Sequence, residues 1–589
     1  MTARTRALST VLVLTVGLIA APTTASAAPG LAKEPLATGY GGAVVSDTVE
    51  ATNAGIEVLR RGGTAADAAV VVAATLGVTD PFMAGLGGGG FFVHYDARTR
   101  RVSTIDGRET TPAAGGEQMF IDPATGAPYP FAKAVTSGLS VGMPGMLATW
   151  ERALQRWGTM SVKEALKPAI KVADKGFPVT PEIRAEIIAN QDRLKQFTSS
   201  AELFLPGGAA PEVGSILRNP DLADTYREIA KDGTRAFYGG AIGRDVAATT
   251  QHPPLAADAT ITPPPGLMTV QDLKDYRTVD RAPTHVNYRG YDVYGMAPSS
   301  SGGITVGEAL NILETFDVKG MSQTQALHHY LEASKLAFAD RNRYIGDPAF
   351  VNVPQDRLLS DAYAAQRACL IDPTKVLPAP AAPDAGCVAA TGTASAENEV
   401  HTNHFVVSDR RGNVVSYTNT IEQVGGSGIV VPGRGFLLNN ELTDFNFTPT
   451  QGSAPDPNLA APGKRPRSSM SPTIVLKDGK PFLALGSPGG STIITTVLQI
   501  LLNRIDLGMN LRDAVWSPRA TQRNTASTVA EPAFIAAADG LRALGHTFTA
   551  QEFIGAAATL EFGPHGKVQA VGENVRRGGT SAAVVYPSH

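Results

Sequence analysis

From His404 onward the chain is dominated by short apolar runs of strand length, "HFVVSD", "NVVSYTNTI", "PTIVLKDG" and "PFLALGSPGG", followed by a helix-length run, "STIITTVLQILLNRID". The first half has the same grammar. "GGAVVSD" reads as a strand, and "DTVEATNAGIEVLRRGG" reads as an amphipathic helix stopped by Gly62. "AADAAVVVAATLGV" (Ala65 to Val78) reads as a buried helix capped by Thr64, with Asp67 at the third helical position. "GGGGFFVHYD" and "RRVSTIDGRE" read as a pair of strands, and a helix opens at Ser322 with Gln325 three residues on, the spacing of a capping box. Strands followed by helices in both halves imply an α/β (α+β) layered sandwich on antiparallel sheets.

At 589 residues there is ample chain for a large core, and a net charge of −3 carries no basic excess that would attract nucleic acid. The first residues read "MTARTRALSTVLVLTVGLIAAPTTASAAPG", with Arg4 and Arg6 ahead of an apolar run and Ala25-Ser26-Ala27 behind it. This is the pattern of a secretory signal peptide over residues 1–27, and it predicts export to an extracellular or periplasmic space. The alternative is a retained anchor, but the apolar run is shorter than the ~20 residues a spanning helix needs. Residues 28–40 read as a tether. In an exported chain Cys369 and Cys387 can pair, and the sequence alone leaves that pairing open.

Several motifs invite chemistry that their settings do not support. "GLGGGGFF" (Gly85 to Phe92) satisfies G-x-G-x-x-G, but it runs into a strand instead of opening a helix, so close backbone packing is the better reading. "GSPGGST" (Gly486 to Thr492) joins a strand to a helix without the lysine of a phosphate loop. Its N–H groups suit a tight turn, a phosphate or an acyl-transfer oxyanion. His328 and His329 are adjacent on a helix and point apart, which suits packing or surface positions better than a metal. No G-x-S-x-G supports a serine nucleophile.

Thr402 stands apart because of where it sits. A Pro/Ala/Gly-rich stretch, 373–401, reads as a mobile surface segment, and a strand begins immediately after it. Were the chain cut between His401 and Thr402, the threonine would carry a free α-amine, of pKa near 8, beside its own hydroxyl. That amine can take the hydroxyl proton and make a nucleophile without a separate histidine. Elsewhere, Glu441 and Asp444 are spaced to share one face of a helical turn, Ser468 and Ser469 offer two hydroxyls, and Arg108 follows a strand with a fork suited to a carboxylate. Together they describe a pocket for a zwitterion such as an amino-acid end group.

"HTNHFVVSDRRGNVVSYTNTIEQVGGSGIVVPGRGFLLNNELTDF", "KRPRSSMSPTIVLKDGKP", "LGSPGGSTIITTVLQ" and "IDGRETTP" resemble the gamma-glutamyltransferase (glutathione hydrolase) family, over nearly the whole chain from Gly42 onward. The resemblance implies a four-layer αββα sandwich of the N-terminal nucleophile hydrolase type. It also implies a precursor that cleaves between His401 and Thr402 into a large subunit (28–401) and a small one (402–589). Carried over by position, Thr402 is the nucleophile, Thr420 assists it, and Gly489 and Gly490 form the oxyanion hole. Arg108, Ser468 and Ser469 hold the substrate α-carboxylate, Glu441 and Asp444 its α-amine, and Glu422 contacts the substrate. The implied substrates are glutathione and other γ-glutamyl compounds, with water, amino acids or dipeptides as acceptors and no metal or organic cofactor. The chain departs from the family at Arg467, where an apolar residue is usual, and at Asn403. A cephalosporin or glutaryl acylase on the same scaffold, a processor of poly-γ-glutamate, and a secreted binding protein that never matures are the rival readings. Residues 445–467 leave open whether a lid covers the site.

Overall fold

Gly41 and Gly42 sit in the middle of the longest strand and decide how the layers join. In the computed structural model, which describes residues 32–384, 387 and 402–588, thirteen strands share one hydrogen-bonded sheet. They are β1 (Leu36–Ser46), β2 (Gly89–Asp96), β3 (Arg101–Gly107), β4 (Val279–Arg281), β5 (Thr284–Tyr288), β6 (Tyr291–Gly295) and β7 (Asn403–Asp409). After these come β8 (Val414–Thr420), β9 (Thr473–Lys477), β10 (Lys480–Gly486), β11 (Ala558–Phe562), β12 (Val568–Gly572) and β13 (Ser581–Pro587). The order is β4-β3-β2-β8-β7-β1-β12-β11-β10-β9-β6-β5, with β13 also on β1, and the ladders are antiparallel.

The first residues of β1 pair with β12 (Leu36 opposite Val571) and its last residues with β7 (Val45 opposite Val406). Between them the ladder with β13 is irregular at Tyr40/Ala43, where Gly41 and Gly42 have φ of +83° and +117°. A side chain there would be strained, and a Cβ on Gly42 would lie 2.5 Å from the Ser408 carbonyl oxygen. This bulge lets one strand serve both layers. The tether expected over residues 28–40 therefore ends earlier than expected, because β1 begins at Leu36.

Period-two alternation then sorts the strand residues into three cores. Phe92, Phe405, Val407 and Tyr417 meet helices α1 (Val49–Arg60), α2 (Ala65–Thr79) and α3 (Met146–Trp157). Their neighbours Phe91, Val93 and Val406 point the other way and meet Ile474, Ala484 and Leu560 between the two layers of the folded sheet. On the far side Val475 and Leu485 pack with α4 (Gly302–Glu314), α5 (Gln323–Tyr344) and α6 (Thr492–Ile505). This is the four-layer αββα sandwich. Central strands are apolar on both faces because each face has a cover.

Local signals hold where they rest on nearby atoms. Thr64 and Asp67 close a full capping box on α2, whereas Ser322 caps α5 without a reciprocal bond, since the Gln325 amide turns to the Pro373 carbonyl. The mobile segment expected over 373–401 is corrected at its start. Val376 N–H donates to the Leu544 carbonyl, Ala381 N–H to Asn524 Oδ1, and Leu377 and Ala381 are buried. Cys369 and Cys387 form a disulfide, with Cα atoms 5.3 Å apart. The remainder of that segment and the leader lie outside the described residues. Among those described, no helix is long and apolar enough to cross a membrane.

Candidate active site

Thr402 meets Thr420 because β7 and β8 are neighbours in register, with Asn403 opposite Asn419. The Thr402 hydroxyl donates to Thr420 Oγ1 at 3.3 Å, and the same oxygen accepts the Glu422 N–H at 2.8 Å. Both threonines are buried. The neighbouring histidine offers no base. His404 is enclosed, bonded to Thr418 Oγ1 at 2.8 Å, and burial pulls its pKa down to about 3.

In front of Thr402 lies a cavity of about 280 Å³ bordered by Thr420, Glu422, Glu441, Asp444, Arg108, Ser468, Ser469 and Gly490. Residues drawn from the sequence between positions 108 and 490 therefore converge on one space. Gly489 immediately precedes Gly490 in the turn into α6, with φ of +128° and +57° respectively. Those angles favour glycine, and a Cβ on Gly489 would lie 2.5 Å from Thr492 Oγ1. His401 lies outside the described residues.

Arg108 leaves the end of β3 and is fully buried. Asp106 Oδ1 accepts its N–H, Tyr276 donates to its carbonyl, and the Pro466 and Arg467 carbonyls accept from the guanidinium at 3.3 Å. Nη1 reaches Glu441, and Nη2, besides the Arg467 carbonyl, reaches Asp444; a single 3-10 turn places the two carboxylates side by side. Glu441 Oε1 takes the arginine, but Oε2 is buried with no hydrogen-bond partner among the described residues. Burial, with Asp444 nearby, pushes Glu422 well above the usual carboxylate range. Residues 445–467 form a stapled wall beside the cavity. Asp456 accepts from Asn446 Nδ2 and from the Thr450 N–H and hydroxyl, and Phe447 stacks on Phe120 at 4.3 Å.

The back of the site has no local signature in the sequence. Arg577 Nη1 donates to the Thr402 carbonyl at 2.7 Å, and its guanidinium lies 3.7 Å from Asp47 and 3.8 Å from Asp80. Asn403 Nδ2 donates to Asp80 at 2.7 Å. Burial raises Asp80, lifts Asp47 to about 6 and lifts Glu186 to about 8. The run "NVRRGG" shows two adjacent arginines, but nothing in it says which reaches Thr402. His328, Glu332 and His546 also come together, all buried. His328 bonds His546 and the Asp372 carbonyl, each at 2.8 Å, while Glu332 takes the Lys335 ammonium and the Leu377 N–H. Both histidines are thus packing residues in a satisfied hydrogen-bond cluster.

A threonine mounted at the head of a central strand of an αββα sandwich, with a second hydroxyl in reach and a polar cavity before it, defines an enzyme of the N-terminal nucleophile hydrolase class. The chain belongs to the gamma-glutamyltranspeptidase family, whose profile matches residues 51–584. It is 42% identical over 494 residues to the glutathione hydrolase proenzyme of Bacillus subtilis (strain 168), covering 82% of this chain and 80% of that one. It is 36% identical over 541 residues to the acylase ACY 1 proenzyme of Pseudomonas sp. (strain SE83), covering 91% and 92%. Among solved structures, cephalosporin acylase from Bacillus halodurans superposes with a TM-score of 0.82 at 27% identity, over 97% of this chain and 100% of that one. Helicobacter pylori gamma-glutamyltranspeptidase superposes with a TM-score of 0.52 at 32% identity, over 56% and 91%.

Proposed function

We propose that the chain is an exported proenzyme that cleaves between His401 and Thr402 and then hydrolyses or transfers γ-glutamyl groups, with glutathione among its donors. The large subunit is 28–401, the small one 402–589, and residues 1–27 are the signal peptide. The observation that carries the substrate class is the buried, partnerless Glu441 Oε2 beside Asp444. A buried carboxylate oxygen with no donor is costly, and a substrate ammonium supplies one. Arg108 with Ser468 and Ser469 faces the α-carboxylate of the same zwitterion.

The scheme uses only the chain and its substrates. The Thr402 hydroxyl passes its proton to its own α-amine as Oγ1 attacks the γ-carbonyl carbon. The oxyanion of the tetrahedral adduct accepts the N–H groups of Gly489 and Gly490. Collapse breaks the amide C–N bond, the leaving amine takes the proton, and a γ-glutamyl ester on Thr402 remains. Water or the amine of an amino acid or dipeptide attacks that ester. It releases glutamate or a new γ-glutamyl compound and returns the proton to the threonine oxygen.

Turnover of a γ-glutamyl anilide against a glutaryl anilide, which lacks the α-amine, tests this reading. A preference of at least ~10-fold for the γ-glutamyl compound is expected, from an ammonium paired with buried carboxylates. Equal rates would support the second reading, a cephalosporin or glutaryl acylase, which the Bacillus halodurans superposition favours. N-terminal sequencing of the smaller mature fragment should begin Thr-Asn-His.

A further inference from the structure

Ser468 and Ser469 are gripped from behind by the residues that open α4. Ser301 donates both its N–H (2.7 Å) and its hydroxyl (2.6 Å) to the Ser468 carbonyl, and Ser468 N–H donates to the Ser299 carbonyl at 3.1 Å. Arg341, in the last turns of α5, completes the grip. Its Nε donates to Ser301 Oγ at 2.8 Å, Nη1 to Asn342 Oδ1 at 2.8 Å, and Nη2 to Ser469 Oγ at 2.7 Å. Arg341 is buried at 2% exposure yet borders the same cavity as Thr402.

A guanidinium can only donate, so the bond from Arg341 occupies a lone pair of Ser469 Oγ and leaves that hydroxyl hydrogen for an acceptor elsewhere. The other arginine of this end, Arg108, spends two arms on Glu441 and Asp444. We propose that Arg341 is a positioning and specificity-determining residue: it turns the Ser469 hydroxyl into a fixed donor and sets a positive charge behind it, so that the site selects donors bearing an α-carboxylate. This rests on the γ-glutamyl reading of the pocket. The helix pattern around "AFADRNRY" hid the residue, because its partner Ser469 is 128 positions away.

The test uses the full chain with Arg341→Met and Arg341→Lys. The substrates are γ-glutamyl 4-nitroanilide and 4-aminobutyryl 4-nitroanilide, which keeps the amine and lacks the α-carboxylate. Arg341→Met should raise KM for the γ-glutamyl compound roughly 10- to 100-fold, the range for a lost hydrogen bond to a charged group, with kcat changed far less. KM for the aminobutyryl compound should stay within about twofold, and Arg341→Lys should show the same selectivity with a smaller rise. Adding Ser469→Ala to Arg341→Met should cost little more, since both remove one interaction. Equal KM changes on the two substrates in either variant, or additive penalties with Ser469→Ala, would overturn the proposal. If the unmodified enzyme itself turns over the two anilides equally, the γ-glutamyl reading fails first, whatever the variants do.

Discussion

The two sides of Thr402 are built from opposite materials. In front, the cavity is lined by side chains from turns, loops and the ends of strands and helices, and its charges are arranged to be exchanged: Arg108 grips Glu441 and Asp444, the groups a zwitterionic ligand would engage. Behind, Arg577 lies between Asp47 and Asp80 and holds a backbone carbonyl, an arrangement no substrate needs to enter. This strand end is thus both presented and restrained. On the proposed mechanism the front reads a ligand, while the back holds the carbonyl of Thr402, the residue that would attack it.

Thr402→Ala removes the point where the two sides meet. It should leave an uncut chain and lower turnover by at least ~10⁴-fold, as expected for loss of a nucleophile. Denaturing electrophoresis and a γ-glutamyl anilide assay report both, and a cleaved or active variant would end the mechanism. Arg577→Met breaks only the back. It should slow maturation by roughly 10- to 100-fold, the cost of misplacing a reacting group by about an ångström, while KM of the matured fraction stays near that of the parent. A raised KM with normal maturation would erase the distinction between the sides. Arg108→Ala breaks only the front. It should raise donor KM about tenfold or more, the value of charge-assisted pairing, and leave maturation intact, so a failure to mature would make Arg108 structural.

The remaining effect concerns pH. Burial lifts Asp47 to about 6 in the folded protein, above its unfolded value of about 4. The folded state therefore binds the proton more tightly, and this group's contribution to stability falls as pH rises from about 4 through 6. Asp47→Asn should flatten that fall by about 2 kcal/mol, read by urea unfolding at pH 4 and pH 8. An unchanged pH profile would show that Asp47 is not the group being desolvated.

Much of the site is visible in the sequence because its parts are local. Gly489-Gly490 before a helix, Glu441 and Asp444 on one turn, and Thr402 at a strand head each need only a few neighbouring residues to be recognised. The residues that escaped notice make their contacts across the fold. Arg577 reaches Thr402 over 175 positions and Arg341 reaches Ser469 over 128. An arginine in a helix or a turn carries no local sign of the partner it will meet.

By itself the sequence determined the order of strands and helices, the caps and the period-two faces, because backbone propensity and apolar spacing act over a few residues. It also determined which residue types were available for acyl transfer. Tertiary structure alone decided that β1 would bend at Gly41-Gly42 and belong to both layers. It also decided that 373–384 would lie against the body and that Arg577 and Arg341 would stand behind Thr402 and Ser469. Alternation says which face of a strand is buried, but the partner is chosen by how the layers stack, and only the folded chain sets that.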